Sequence, residues 1–175
     1  PAFDLAPHPR RTLIAINGLL WGAQEAVLER AQTLLASGYT TLKLKVGRQT
    51  LEEDAETVRG VSALCGDRCS LRLDANRAWD QPTALAFARA IEGCPIAYIE
   101  EPLRNPAHLI DFACRSRLPV ALDETIFEHG EYNLEKWRGA VAAVLKPTLL
   151  GGFEISMYLA RKAMNLGMTP VVSAS

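Results

Sequence analysis

The stretch Thr41-Leu-Lys-Leu-Lys-Val-Gly47 sets two lysines inside an otherwise apolar run of strand-forming character. Side chains alternate across a strand, so Lys43 and Lys45 share one face and Leu42 and Leu44 the other. A charged residue closing a short apolar run recurs downstream. It is Asp74 in Leu71-Arg-Leu-Asp-Ala-Asn76, Glu100 in Tyr98-Ile-Glu-Glu-Pro102, Asp123 in Ala121-Leu-Asp-Glu124 and Lys146 in Val144-Leu-Lys-Pro147. The steps from Lys45 to Lys146 are 29, 26, 23 and 23 residues. Their mean, about 25, is the size of one strand–loop–helix–loop unit.

Working outward, strands are expected at Leu13–Asn17, Thr41–Val46, Ser70–Asp74, Ile96–Glu100, Pro119–Asp123, Ala142–Lys146 and Thr169–Ser173. Helices are expected between them, at Ala23–Ser37, Leu51–Cys65, Pro82–Glu92, Pro106–Ser116, Asn133–Trp137 and Gly152–Leu166. Pro82 and Pro106 fall at first turns, where a missing N–H costs nothing. Gly38 and Gly167 stand where a helix needs a left-handed ending. Alternating strands and helices imply βαβ units and a parallel sheet. A doubly wound sheet usually carries a Gly-rich phosphate turn after its first strand, but Asn17-Gly-Leu-Leu-Trp21 is no such turn. The expected fold is therefore α/β, a TIM-type (β/α) barrel.

The chain has 175 residues, and units of about 25 make seven where a closed barrel needs eight. The barrel is expected to be incomplete, lacking its closing strand and an N-terminal capping domain. Residues 1–12 read as the end of a linker from that domain and 13–175 as the partial barrel. Nineteen Lys and Arg against 20 Asp and Glu give a net charge of −1, with 49% hydrophobic residues. This near-balance removes the electrostatic case for nucleic acid or an anionic membrane surface. No apolar run approaches the roughly 20 residues that span a bilayer. Cys65, Cys69, Cys94 and Cys114 are too few and scattered for a disulfide framework. Cys65-Gly-Asp-Arg-Cys69 lacks the further close ligands that zinc requires. They are expected to be free thiols in a reducing cytoplasm.

In such a barrel the active site lies at the C-terminal ends of the strands. If Asp74 points inward there, so does Arg72. Glu101 and Glu124, one step beyond their neighbouring acids, start on the other face unless the strand has already ended. Charges inside apolar strands are costly unless paired or put to use. The bland reading is a buried ion-pair network. The functional one is a hard-oxygen site of three carboxylates suited to Mg²⁺, with no His or Cys to favour zinc. A lysine beside a divalent cation or a second lysine should have its pKa lowered and serve as a base near neutrality. Lysines on both sides of the cluster fit removal of a proton α to a carboxylate, with the cation stabilising the resulting anion.

This constellation resembles the enolase superfamily, in its muconate-lactonizing-enzyme subgroup, over most of the chain from about Leu13. Within the subgroup, Leu71-Arg-Leu-Asp-Ala-Asn-Arg-Ala-Trp79 and Leu145-Lys-Pro-Thr-Leu-Leu-Gly-Gly152 are similar to the o-succinylbenzoate synthases. The resemblance implies that Asp74, Glu100 and Asp123 ligate Mg²⁺, with Mn²⁺ a possible substitute. Glu100 is preferred to Glu101 because the family's ligand is the first acid of that motif. Lys45 is implied as the base that removes the α-proton and then assists loss of the hydroxyl. Lys146 would stabilise the anion from the opposite face, and Lys43 would support Lys45. Arg72, Asn76 and Ser173 are candidate contacts to a small carboxylate substrate or to the residues around it. The implied reaction is dehydration of 2-succinyl-6-hydroxy-2,4-cyclohexadiene-1-carboxylate to o-succinylbenzoate, towards menaquinone or phylloquinone.

A same-chemistry alternative is an N-acylamino-acid racemase or dipeptide epimerase, using both lysines as opposed bases. Another class is a non-catalytic barrel that binds a partner. His8, His108 and His129 are scattered and read as surface residues. Gly151-Gly152 either approaches a ligand or opens the next helix. Trp21 and Trp79 lie just past strand ends and read as core or rim packing, and Trp137 as packing.

Overall fold

Alternation along each strand divides the molecule into two interiors. Leu42, Leu44, Leu71, Leu73, Ile99, Val120, Leu122, Ala143 and Leu145 are buried in one large apolar core shared with the helices. Tyr98, Ala121 and Ala142 point the other way and pack together, with Val171 against them. The first set glues the sheet to its helical coat, and burying each leucine contributes about 1.5–3 kcal/mol.

The computed structural model describes residues 14–128 and 132–174. Its seven strands are β1 (Gly18–Leu20), β2 (Thr41–Lys45), β3 (Ser70–Asp74), β4 (Ile96–Glu100), β5 (Val120–Leu122), β6 (Ala142–Leu145) and β7 (Thr169–Val172). They form one sheet in sequence order, and every neighbouring pair is parallel. The helices are α1 (Gln24–Ala36), α2 (Leu51–Cys65), α3 (Gln81–Ala90), α4 (Leu109–Ser116), α5 (Glu124–Glu128), α6 (Pro147–Leu150) and α7 (Phe153–Asn165). This is an α/β fold, an incomplete TIM-type barrel.

Local chemistry explains the element ends. Thr50 and Glu53 close a reciprocal capping box at the start of α2, and Asp80 caps α3 by accepting from the Thr83 amide. Gly38 and Gly167 follow α1 and α7 with φ of 88° and 81°.

Three expectations need correction. The first strand is not Leu13–Asn17 but Gly18–Leu20, while Ile14 and Ile16 are exposed. Leu20 is buried opposite Leu44, and a Cβ on Gly18 would lie 2.6 Å from Leu34, so the bare glycine lets the strand close on α1. The segment Pro106–Ser116 opens with a 3₁₀ turn, Pro106–His108, before α4 begins, and Leu134–Trp137 is 3₁₀ rather than α. The short helices α5 and α6, directly after β5 and β6, were not expected.

Residues 1–12, His8 and His129 lie outside the described residues. His108 is exposed. Trp79 and Trp137 are buried, Trp79 with its ring centroid 4.5 Å from that of Phe87, and Trp21 is exposed at the rim. Gly151 ends α6 and Gly152 opens α7. All four cysteines are free thiols. No helix among the described residues is long and apolar enough to cross a membrane.

Candidate active site

Register brings the site together. Lys45 pairs with Asp74, and Asp74 with Glu100. The second pairing depends on a slip: Leu71 faces Ile96, but Arg72 faces Tyr98. The extra residue, Ala97, moves Glu100 rather than Ile99 opposite Asp74, as a β-bulge re-aims a side chain. Ala121 and Ala142 point into the barrel, so Asp123 and Lys146, two and four residues on, point there too.

Asp74, Glu100 and Asp123 are all buried, each with a carboxylate oxygen within 4.8 Å of the other two. Lys43 Nζ lies 2.5 Å from Glu100 Oε2 and 2.8 Å from Asp74 Oδ2. Lys45 Nζ donates to Asp74 Oδ2 and to Asn76 Oδ1, both at 2.7 Å. Lys146 Nζ donates to Asp123 Oδ2 at 2.7 Å and lies over the Phe127 ring. The three carboxylates and the three lysines line a cavity of about 290 Å³, with Arg72 and Ser173 on its wall. A larger hollow of about 420 Å³, lined by Arg89, Arg115 and Arg117 among others, contains none of the candidate residues.

Of the three proposed substrate contacts, Arg72 stacks over Tyr98 at 5.1 Å, and its buried Nε has no hydrogen-bond partner. The Ser173 hydroxyl donates to the Ala174 carbonyl. Asn76 is placed differently. It sits at φ 43°, accepts from Lys45 and donates to Glu124 Oε1 at 3.1 Å, outside the residues that line the cavity.

Burial is the largest single influence on each of Glu100, Asp123, Asp74 and Lys43, but it does not always decide the direction. It pushes Glu100 up to about 7, Lys43 opposing and Asp74 adding to the rise. Asp123 is raised by burial against the pull of Lys146. Burial would raise Asp74 as well, but Lys43 and Lys45 outweigh it and hold the group below its ordinary value. Burial alone would lower Lys43, but Glu100 and Asp74 raise it.

Each of the three buried carboxylates is ion-paired to at least one of the three lysines. One oxygen of the cluster, Asp123 Oδ1, is buried with no partner. An all-oxygen donor set with one buried, unpartnered oxygen, from residues that line a polar cavity, fits a hard divalent cation.

Glu101 is the buried acid beside the cluster to which sequence reasoning gave no role. Its side chain is fully buried at φ 38°, because β4 has ended and the chain turns. Oε1 accepts the amides of Asp123 and Thr125, both at 2.9 Å. Oε2 accepts the Thr125 hydroxyl at 2.8 Å and Arg77 Nε at 3.2 Å. The signal available was the doubled acid Glu100-Glu101, which alternation splits between two faces.

Residues 26–173 match the Enolase C-terminal domain-like family. The chain is 38% identical over 151 residues to "Protein PHYLLO, chloroplastic" of Arabidopsis thaliana, covering 83% of this chain and 9% of that protein. It is 37% identical over 142 residues to an o-succinylbenzoate synthase of Aliivibrio fischeri, covering 79% of this chain and 43% of the relative. The chain thus spans less than half the length of either. Its fold is similar to that of an N-succinyl Arg/Lys racemase of Bacillus cereus, with a TM-score of 0.79 and 26% identity over 92% of this chain and 45% of that one.

Proposed function

The chain belongs to the enolase C-terminal domain-like family, and from that premise we propose that it carries the catalytic residues of an o-succinylbenzoate synthase. That enzyme is a hydro-lyase that dehydrates 2-succinyl-6-hydroxy-2,4-cyclohexadiene-1-carboxylate in menaquinone or phylloquinone biosynthesis. The observation that carries this reading is the carboxylate triad at the ends of β3, β4 and β5, with a lysine ion-paired at each end. The 37% identity to a protein of that name favours this substrate within the family. Free thiols are consistent with a reducing compartment such as the cytoplasm.

Asp74, Glu100 and Asp123 would hold Mg²⁺, or Mn²⁺ in its place. When bound, such a cation polarises the substrate carboxylate adjoining the carbon that loses its proton. Lys45, oriented by Asn76, takes the α-proton onto Nζ and returns it to the departing hydroxyl, which leaves as water. Lys146, at the Asp123 side, presents its ammonium to the negative charge that develops. Lys43 is held between Asp74 and Glu100 and keeps their charge balanced. Arg72 offers its unpartnered N–H to a second substrate carboxylate.

Racemisation of an N-acylamino acid is the second reading, favoured by one lysine at each end of the cluster and by the likeness to the racemase. Dehydration of the cyclohexadiene is read from the absorbance of the aromatic product, and racemisation from deuterium uptake at the α-carbon of N-succinylamino acids in D₂O. The proposal expects Mg²⁺-dependent dehydration. Rapid exchange without dehydration would replace it with the racemase reading, and a Lys45→Ala variant that kept dehydratase activity would overturn the mechanism.

A further inference from the structure

We propose that Glu101 is a positioning residue whose carboxylate fixes the Asp123 backbone, and thereby the span of the carboxylate triad, so that it sets the affinity for the divalent cation. This rests on the reading that the triad binds such a cation.

Four contacts saturate the Glu101 carboxylate. They are the Asp123 and Thr125 amides on one oxygen, and the Thr125 hydroxyl and Arg77 Nε on the other. A left-handed φ at a non-glycine residue is strained and persists only where surroundings over-determine it. Here they do. The Glu101 amide donates to the Ala121 carbonyl at 3.2 Å, and its own carbonyl accepts from Arg77 at 2.7 Å.

The circuit touches all three strands that bear the carboxylates. Glu101 directly follows Glu100 at the end of β4. It grips the amide of Asp123 just past β5. Arg77 stands three residues beyond Asp74 at the end of β3. Its Nη2 donates to the Thr125 hydroxyl at 3.0 Å, and its Nη1 pairs with Glu128 at the end of α5. One buried carboxylate therefore ties together the loops carrying Asp74, Glu100 and Asp123 without being a member of the triad. Groups that hold metal ligands in place typically contribute 10–100-fold to metal affinity.

The test uses Glu101→Gln, which keeps the size of the side chain and one acceptor oxygen but removes the charge and sets an amide against Arg77. Mg²⁺ affinity is measured by calorimetry and Mn²⁺ affinity by electron paramagnetic resonance, with turnover followed as a function of Mg²⁺. The expected result is a metal Kd raised tenfold or more, with kcat recovering towards the parent value at saturating Mg²⁺. Circular dichroism of the metal-free variant, expected to match the parent, separates weaker binding from damage to the fold, since bound metal itself favours the folded state. A folded Glu101→Gln variant whose Kd lies within twofold of the parent would overturn the proposal. Should that variant not fold, Thr125→Val carries the test, because it removes a hydroxyl shared by Glu101 and Arg77. A threefold or greater rise in Kd supports the proposal, and no change overturns it. A parent protein that binds neither Mg²⁺ nor Mn²⁺ at millimolar concentration would sink the metal-site reading and this proposal with it.

Discussion

Lys45 and Lys146 reach the carboxylate cluster from its two ends, Lys45 Nζ 2.7 Å from Asp74 Oδ2 and Lys146 Nζ 2.7 Å from Asp123 Oδ2. A substrate lying between them meets one lysine on each face, the Lys45 amine as base on one and the Lys146 ammonium on the other. General-base catalysis by a positioned side chain contributes about 10²–10⁴-fold, and loss of a charge-stabilising donor about 10²–10³-fold. Lys45→Ala and Lys146→Ala should both cut kcat by at least about 10²-fold. Only Lys45→Ala should also abolish exchange of the substrate α-proton with D₂O, because the proton leaves from that face. NMR of recovered substrate reads this directly. Exchange abolished equally by both variants, each for one enantiomer of an amino-acid substrate, would favour the racemase.

Burial raises Glu100 to about 7, with Lys43 opposing and Asp74 assisting, from an ordinary value of 4.5. A protonated carboxyl is a poor ligand, so protons and metal compete for this group. Mg²⁺ should therefore bind about tenfold more weakly at pH 6 than at pH 8, as calorimetry at the two values will show. Without metal, a carboxyl whose folded pKa is raised contributes stability that is fully present below its ordinary value and lost as pH rises through 7. Chelation should accordingly lower Tm more at pH 8 than at pH 6. An equal loss at both would show that Glu100 does not titrate in this range.

The alternation Leu42-Lys43-Leu44-Lys45 and the roughly 25-residue spacing made β2 through β7, and the inward direction of their charges, legible from sequence. Leu51–Cys65 was expected to the residue, and in the structure the capping box of Thr50 and Glu53 fixes its start. The register was not. Asp74 faces Glu100 only because Ala97 is skipped, and nothing in Ile96-Ala-Tyr-Ile-Glu100 announces a bulge. The first strand was misplaced because periodicity rewards Ile14 and Ile16, whereas the packing of Gly18 against Leu34 and Leu42 is a tertiary fact. Glu101 escaped for a related reason. Its side chain is redirected by a left-handed turn, which alternation cannot anticipate.

Gly47 follows Lys45 by two residues at φ +80°, and a Cβ there would lie 2.3 Å from the Ala78 Cβ. Its amide donates to Asp54 Oδ2 at 2.6 Å, which ties the turn to the start of α2. Gly47→Ala should cost about 2–3 kcal/mol, part from the left-handed backbone and part from the clash. Adding Ala78→Gly should recover the clash part alone, apart from that glycine's own cost. Urea denaturation of the two single variants and the double variant separates the contributions. Full recovery would assign the whole cost to the clash, and no recovery would assign it to the backbone.

Arg72 shares the cavity wall with the lysines but makes no ion pair with the carboxylates, and its buried Nε has no partner while the guanidinium rests on Tyr98. A buried donor without an acceptor is costly, so a ligand oxygen that reaches it gains by satisfying it. Lys43 already occupies Asp74 and Glu100, which leaves Arg72 as the cation available to the far carboxylate of a dicarboxylate substrate. Arg72→Met keeps much of the apolar stem and removes the charge. It should raise KM for the dicarboxylate by about 10–100-fold, the loss expected for a charge-assisted hydrogen bond worth about 1.5–3 kcal/mol. Metal Kd should stay within twofold, since Arg72 touches none of the three carboxylates. Steady-state kinetics alongside calorimetry tests both halves. A variant that lost metal affinity instead would place Arg72 in the electrostatic support of the triad, and its role in substrate binding would fall.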